Sequence, residues 1–117
     1  MDAIFIRDLR VDALIGFHKR ERVAPQTLSF DLEIGIANPA VFESDRVADC
    51  IDYAKVAARV AETARDRHHN LVEKLADRVA QAILDEFPAG WVKVSVAKLA
   101  VLREAGRVGV TLERRKA

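Results

Sequence analysis

The segment from Gln26 to Ile36 constrains the fold more than any other part of the chain. Apolar and polar residues alternate along it, and a period of two is typical of a β-strand with one buried face. The apolar face consists of Leu28, Phe30, Leu32, Ile34 and Ile36. The sequence therefore predicts a strand that covers a core on one side only.

The opening segment, Ala3 to Leu14, alternates in the same way but changes phase in the middle. Ile4 and Ile6 share one face, and the apolar residues that follow fall on the other. One extra residue in a strand restores the phase, so we predict a β-bulge near Arg7 or Asp8.

Two helices are predicted in the middle of the chain, where apolar residues recur every three or four positions. The first is expected from Tyr53 to about Arg67, with Asp52 as N-cap. The second is expected to start at Asn70 as N-cap and to end before Phe87, Pro88 and Gly90.

Strand periodicity returns in Trp91–Val101 and Val108–Leu112, with a turn expected around Gly106. The order ββααββ predicts one α+β domain over residues 1–117, an antiparallel four-stranded sheet with both helices on one face. The predicted strands are long, and such a sheet has free edges. Both features favour an oligomer that joins sheets.

Charge and hydropathy exclude several classes of protein. A net charge of +1 gives no field that would attract nucleic acid. No apolar run is long enough to span a bilayer, and Asp2, Arg7 and Asp8 interrupt the start where a signal peptide needs an apolar core. We expect a cytoplasmic protein with neither nucleic-acid nor membrane partners.

No metal site is expected from the sequence. Cys50 is the only cysteine, and His18, His68 and His69 lack the spacing of known metal motifs. The adjacent histidines are expected at a helix end and in the following loop.

Lys98 is the most informative single residue, because it continues the inward-facing positions Val92, Val94 and Val96. One interpretation gives such a lysine an ordinary place, with its amine extended to the end of the sheet or the residue beyond a bulge. The other interpretation is a desolvated ammonium in a pocket, where it can transfer protons. The pattern leaves both interpretations open.

Three further residues have ordinary explanations on local grounds. Glu73 lies three residues after Asn70, which favours a capping box, although a carboxylate at a helix start can also face a ligand. Tyr53 is expected to pack at a helix start, but loop–helix junctions also form sites. Glu21, in a polar stretch between strands, reads as a solvated loop charge.

Taken together, these residues resemble the dihydroneopterin aldolase family over nearly the whole chain. The resemblance is carried by Ile15-Gly16, Glu21-Arg22, Gln26, Asp31-Leu32, Asp45, Asp52-Tyr53, Leu71-Val72-Glu73, Lys98, Gly109-Val110 and Arg114. It implies a tunnelling fold, in which four subunits join their sheets into a barrel and two rings stack as a homo-octamer, with sites between subunits.

The resemblance also implies roles for individual residues. Glu73 and the backbone of Val72 would bind the pterin, and Glu21 would face the hydroxylated side chain. Tyr53 would come from a neighbouring subunit and help to protonate the enol carbon formed by cleavage. Lys98 would be the principal proton donor and acceptor. The reaction would be retro-aldol cleavage of 7,8-dihydroneopterin in folate biosynthesis, without metal or organic cofactor.

One position departs from the family pattern, because Leu99 follows the strand lysine where family members usually have proline. Paralogues that favour 2′-epimerisation of dihydroneopterin or its triphosphate share the scaffold, so an epimerase is the alternative. A non-catalytic pterin-binding paralogue is a third, which the retained Glu21, Tyr53, Glu73 and Lys98 argue against.

Overall fold

The computed structural model of residues 1–117 contains one antiparallel sheet of four strands in the order β1-β2-β3-β4. One short and two long helices lie between the second and third strands. The elements are β1 (Ala3–Ala13), β2 (Gln26–Ile36), α1 (Val41–Ser44), α2 (Tyr53–Arg65), α3 (Val72–Glu86), β3 (Ala89–Leu102) and β4 (Ala105–Arg115). The predicted α+β class is confirmed, and the four-residue α1 is an addition to the predicted order. No helix has the length and apolar character required to cross a membrane.

The first two strands follow the sequence closely. β2 has the predicted bounds, and its side chains Leu28, Phe30, Leu32 and Ile34 are fully buried. Ile6 of β1 pairs with Leu32 of β2, and the next pair is Leu9 with Phe30, so β1 has one residue more than β2 between these pairs. Asp8 takes a left-handed φ of 53° there and donates its N–H to the Asp31 carboxylate at 2.7 Å. The predicted bulge is confirmed.

The two long helices pack their apolar stripes against the same face of the sheet. From α2 this stripe includes Val56, Val60 and Ala64, and from α3 Leu75, Val79 and Ile83. The opposite face of the sheet carries no helix, and β1 and β4 are its edges. The chain therefore leaves one sheet face and two edge strands uncovered by its own residues.

The start of α2 was predicted correctly, and the start of α3 was not. Asp52 caps α2 as predicted, accepting from the N–H groups of Ala54 at 3.0 Å and Lys55 at 3.3 Å. At α3 the N-cap is Leu71, and no side chain caps the helix. Asn70 instead accepts a hydrogen bond from the Arg22 guanidinium at 3.1 Å. The capping-box interpretation of Glu73 is therefore wrong.

The hairpin between β3 and β4 turns earlier than predicted. Leu102 pairs with Ala105, so the turn residues are Arg103 and Glu104, rather than residues around Gly106. A register shift lies between Leu99 and Leu102. Within it, Ala100 has a φ of 57°, a left-handed conformation that a Cβ disfavours.

Ala100→Gly should stabilise the protein, because glycine adopts positive φ without the steric cost that alanine bears. We expect the free energy of unfolding to rise by up to about 1 kcal/mol. Urea unfolding measures it, with Ala58→Gly on the exposed face of α2 as the control. The control should destabilise by about 1 kcal/mol, and equal losses in both variants would contradict the strain at Ala100.

Candidate active site

Glu21 is held in a short turn between β1 and β2. The turn follows Gly16, whose φ is 118° and whose Cα is so close to the Glu21 carboxyl that an added Cβ would overlap it. Only glycine fits both the conformation and the contact. As a result the Glu21 carboxylate is folded inward, and the residue is 8% exposed. The interpretation of Glu21 as a solvated loop charge is wrong.

Three donors hold the Glu21 carboxylate in place. One oxygen accepts from the His18 backbone N–H at 3.2 Å, and the other accepts from the Gln26 side-chain amide at 3.0 Å and the Lys98 ammonium at 2.8 Å. The Lys98 hydrogen bond is the main cause that lowers the Glu21 pKa to about 2, against the opposing effect of burial. Glu21 is therefore an ionised carboxylate with a fixed orientation.

Lys98 reaches Glu21 from the third strand. Its neighbours on the inward face, Val92, Val94 and Val96, are fully buried, and its own side chain is 15% exposed. The buried stem and the ion pair with Glu21 exclude the first of the two interpretations, whereas proton transfer by Lys98 stays a prediction. Lys98 places its ammonium in a pocket and does not extend to solvent at the end of the sheet.

A cleft of about 350 Å³ opens beside Lys98. Its walls include Val72 and Glu73 from the first turn of α3, and Val108 and Gly109 from β4. Glu73 is exposed and takes part in none of the ion pairs of the chain. Three predicted site residues, Val72, Glu73 and Lys98, thus line one cleft, and Glu21 joins it through its contact with Lys98.

A second cleft of about 390 Å³ includes Glu21 in its wall. Arg20 and Gln26 line it on the polar side, and Leu99 lines it on the apolar side together with Ala100 of the bulge. Leu99, which departs from the family pattern, therefore lies in a cleft that also contains Glu21.

Tyr53 lies apart from both clefts. It is the first residue of α2 and is 70% exposed. At the other end of α2, Arg65 donates to the backbone oxygen of Asp12, close to where β2 begins. A helix of 13 residues spans about 20 Å, so Tyr53 lies towards the opposite end of the sheet from Gln26. One chain does not bring Tyr53 to Lys98.

The two adjacent histidines have structural contacts that the sequence did not predict. His68 bonds the Gly16 carbonyl through Nε2 at 2.8 Å, and the His69 ring is 2.9 Å from the Arg78 guanidinium. Both lie between α2 and α3, as expected. No group of three or more His, Cys, Asp or Glu residues is arranged to hold a metal ion.

The low pKa of Glu21 predicts a pH-dependent contribution to stability. Because its pKa is about 2 in the folded chain and 4.5 ordinarily, this contribution is complete above about pH 4.5 and is lost as the pH falls towards 2. Glu21→Gln should reduce the slope of the unfolding free energy against pH in this window. The reduction should be at most about 1.4 kcal/mol per pH unit, the contribution of one titrating proton. Asp8 and Asp66, whose pKa values are also about 2, leave a remaining slope. Urea titrations across this window test it, and equal slopes in both proteins would contradict it.

Comparisons with known proteins agree over almost the whole chain. A family model described as FolB, dihydroneopterin aldolase, matches residues 4–113. The dihydroneopterin aldolase of Escherichia coli K12 is 37% identical over 97% of this chain and 93% of its own length, and that of Haemophilus influenzae is 31% identical over 97% of each. The crystal structure of the E. coli enzyme in complex with neopterin superposes with a TM-score of 0.91, at 37% identity, and covers 97% of this chain and 99% of that one.

Proposed function

Because the chain belongs to the dihydroneopterin aldolase family, we propose that the cleft lined by Val72, Glu73 and Lys98 is where it cleaves 7,8-dihydroneopterin. The products are 6-hydroxymethyl-7,8-dihydropterin and glycolaldehyde. The observation that carries the proposed site is the Glu21–Lys98 ion pair, which adjoins a cleft with a carboxylate, Glu73, that has no ionic partner in the chain.

Binding of the pterin follows from the start of α3. The Glu73 carboxylate has two oxygens that match the paired N–H donors on the guanidine-like edge of a pterin. The backbone N–H groups of the first helical turn, which includes Val72, have no partner within the helix and are available to an acceptor on the ring. A pterin held this way directs its side chain towards Lys98 and Glu21.

The chemistry requires only proton transfers, because the substrate supplies its own electron sink. The 2′-hydroxyl gives its proton to Lys98, directly or through water, and this proton replaces the one that Lys98 gives to the ring. The 2′-oxygen forms the carbonyl of glycolaldehyde and the C1′–C2′ bond breaks. The electron pair of that bond moves into the ring C=N group, and Lys98 delivers a proton to the ring nitrogen, directly or through water. Glu21 orients the hydroxylated side chain. Protonation of C1′ in the resulting enol then gives the hydroxymethyl product, as the ring nitrogen returns its added proton through water to the group that protonated C1′ and the C=N group is restored. No step calls for a metal or an organic cofactor.

The proton for C1′ is assigned to Tyr53 of a neighbouring subunit, since Tyr53 of the same chain lies far from the cleft. Strands of 11 to 14 residues, two free edges and helices on one face only support an assembly that joins sheets into a barrel. We propose the tetrameric ring, and its stacked octamer, as the active form.

The alternative product is the 2′ epimer. It forms if glycolaldehyde is recaptured by the enol from its other face before it escapes. Leu99 supports this alternative, because Leu99 replaces the usual proline and lines the second cleft together with Glu21. Chromatography of a timed incubation with 7,8-dihydroneopterin tests both. We expect glycolaldehyde and the hydroxymethyl product in equal amounts. The 2′ epimer, 7,8-dihydromonapterin, as the only product would indicate an epimerase, and unchanged substrate would indicate a binding protein.

Shared sites predict complementation between two impaired variants. A Tyr53→Phe chain retains Lys98, and a Lys98→Met chain retains Tyr53. In oligomers formed by refolding equal amounts of the two together, about a quarter of the sites receive both intact residues. Activity should therefore rise well above the mean of the separately refolded variants. A mixture no more active than that mean would place Tyr53 outside the site of its neighbour.

A further inference from the structure

Gly16, on which the position of Glu21 depends, is held by the connection between α2 and α3. Its N–H donates to the His69 carbonyl at 2.9 Å, and its own carbonyl bonds the His68 ring at 2.8 Å. Nearby, Asn70 accepts from Arg22 in the Glu21 turn. The two chain segments thus meet backbone to backbone where the turn begins.

His69 is anchored in turn by a charged pair between Asp66, which follows α2, and Arg78 of α3. Arg78 of α3 is 2.9 Å from His69 Nε2, and it binds both oxygens of Asp66 at 2.6 and 2.8 Å. Because a guanidinium only donates, His69 Nε2 accepts, which puts the proton of the neutral ring on Nδ1. His69 is 4% exposed, and its Nδ1 has no partner.

An unpartnered buried N–H costs stability, so this ring orientation needs a compensating contact. That contact is the hydrogen bond from Arg78. Burial, followed by the nearby charge of Arg78, lowers the pKa of His69 and keeps the ring neutral and able to accept. Arg78 therefore selects one orientation of a residue whose carbonyl holds Gly16.

We propose that Arg78 is a positioning residue for the cleavage reaction: through His69 and Gly16 it fixes the Glu21 carboxylate against Lys98. The contacts are continuous from Asp66 to Arg78, His69, Gly16, Glu21 and Lys98. Arg78 itself does not line the cleft. This inference rests on the proposed function, because it assigns Arg78 a role in that reaction.

The test compares two arginines that differ in their connection to the site. Arg78→Met removes the contact to His69 together with a bidentate carboxylate pair. The control Arg59→Met removes the pair between Arg59 and Glu86, in which Nε lies 2.9 and 3.0 Å from the two oxygens. Both changes remove an ion pair between α3 and either α2 or the residue that follows it, but only the first is linked to Gly16.

We expect Arg78→Met to lower kcat for dihydroneopterin cleavage by about 10- to 100-fold, the loss typical of a slightly misplaced catalytic group. The affinity for 6-hydroxymethyl-7,8-dihydropterin should stay near the wild-type value, because the ring binds at the start of α3. Arg59→Met should leave both quantities unchanged, and Arg78→Lys should recover part of kcat. Equal kcat in the two methionine variants would overturn the proposal.

A spectroscopic measurement separates this inference from the proposed function. Nitrogen NMR of the His69 ring should show the proton on Nδ1 in the wild type and a changed state in Arg78→Met. Should that variant not fold, Asp66→Asn, which weakens the hold on Arg78, should lower kcat in the same direction. If the wild-type protein neither binds nor cleaves the pterin, the proposed function is wrong. If the wild type cleaves the pterin but the His69 spectrum is unchanged in Arg78→Met, only the role of Arg78 is wrong.

Discussion

Lys98→Met should lower kcat for dihydroneopterin cleavage by about 10²–10⁴-fold, the loss expected for removal of a positioned acid or base. Methionine keeps an unbranched apolar side chain in the place of the lysine stem, so the wall of the cleft remains, but the ammonium 2.8 Å from Glu21 is lost. Rates of glycolaldehyde release measure the effect. The control is Lys93→Met on the opposite face of the same strand, which should cleave at the wild-type rate.

The same substitution leaves the buried Glu21 carboxylate without its cation, so stability should fall together with activity. The double variant Glu21→Gln with Lys98→Met separates the two effects. Removing both charges should restore much of the lost stability without restoring cleavage. A double variant that regains activity would show that Lys98 serves the fold and not the reaction.

Glu73→Ala should weaken binding of 6-hydroxymethyl-7,8-dihydropterin by at least about 100-fold, because the ligand loses two charge-assisted hydrogen bonds. The fold should be nearly unaffected, since Glu73 is exposed and its carboxylate has no ion pair in the chain. Only a favourable first-turn charge is lost, worth about 0.3–1 kcal/mol. Calorimetric titration measures the affinity.

Two further variants serve as controls for the loss of affinity in Glu73→Ala. Asp85→Ala removes another exposed carboxylate from α3, outside the cleft, and should bind as the wild type does. Glu73→Gln keeps the shape of the side chain without its charge and should bind with intermediate affinity. If Glu73→Ala retains wild-type affinity, Glu73 has no part in pterin recognition.

The sequence predicted those elements whose cause is local. Strict alternation defined β2, the change of phase located the bulge at Asp8, and Asp52 marked the start of α2. Asn70 misled the prediction of α3 because its side chain has a partner, Arg22, 48 residues away. The β3–β4 turn was misplaced because the strands continue through a bulge at Ala100, which periodicity does not reveal.

The site was predictable only in part, because some of its contacts join residues that are far apart in the sequence. Lys98 was identified by its place in the inward register of β3, a local signal. The burial of Glu21 depends on Lys98, 77 residues later, and on the close approach of Gly16. No local pattern in the polar turn indicates either contact. The roles of Tyr53, Glu73 and Lys98 remain predictions that the variants above test, and the roles of Glu21 and Val72 remain predictions that a bound pterin would test.

A crystal structure of this protein with neopterin bound tests most directly where the chemistry takes place. We predict the amino edge of the pterin on the Glu73 carboxylate, the ring against the Val72 backbone and the side-chain hydroxyls at Glu21 and Lys98. Tyr53 of a neighbouring subunit should complete the site. A pterin bound in the second cleft beside Arg20 and Leu99, without contact to Glu73, would contradict this assignment.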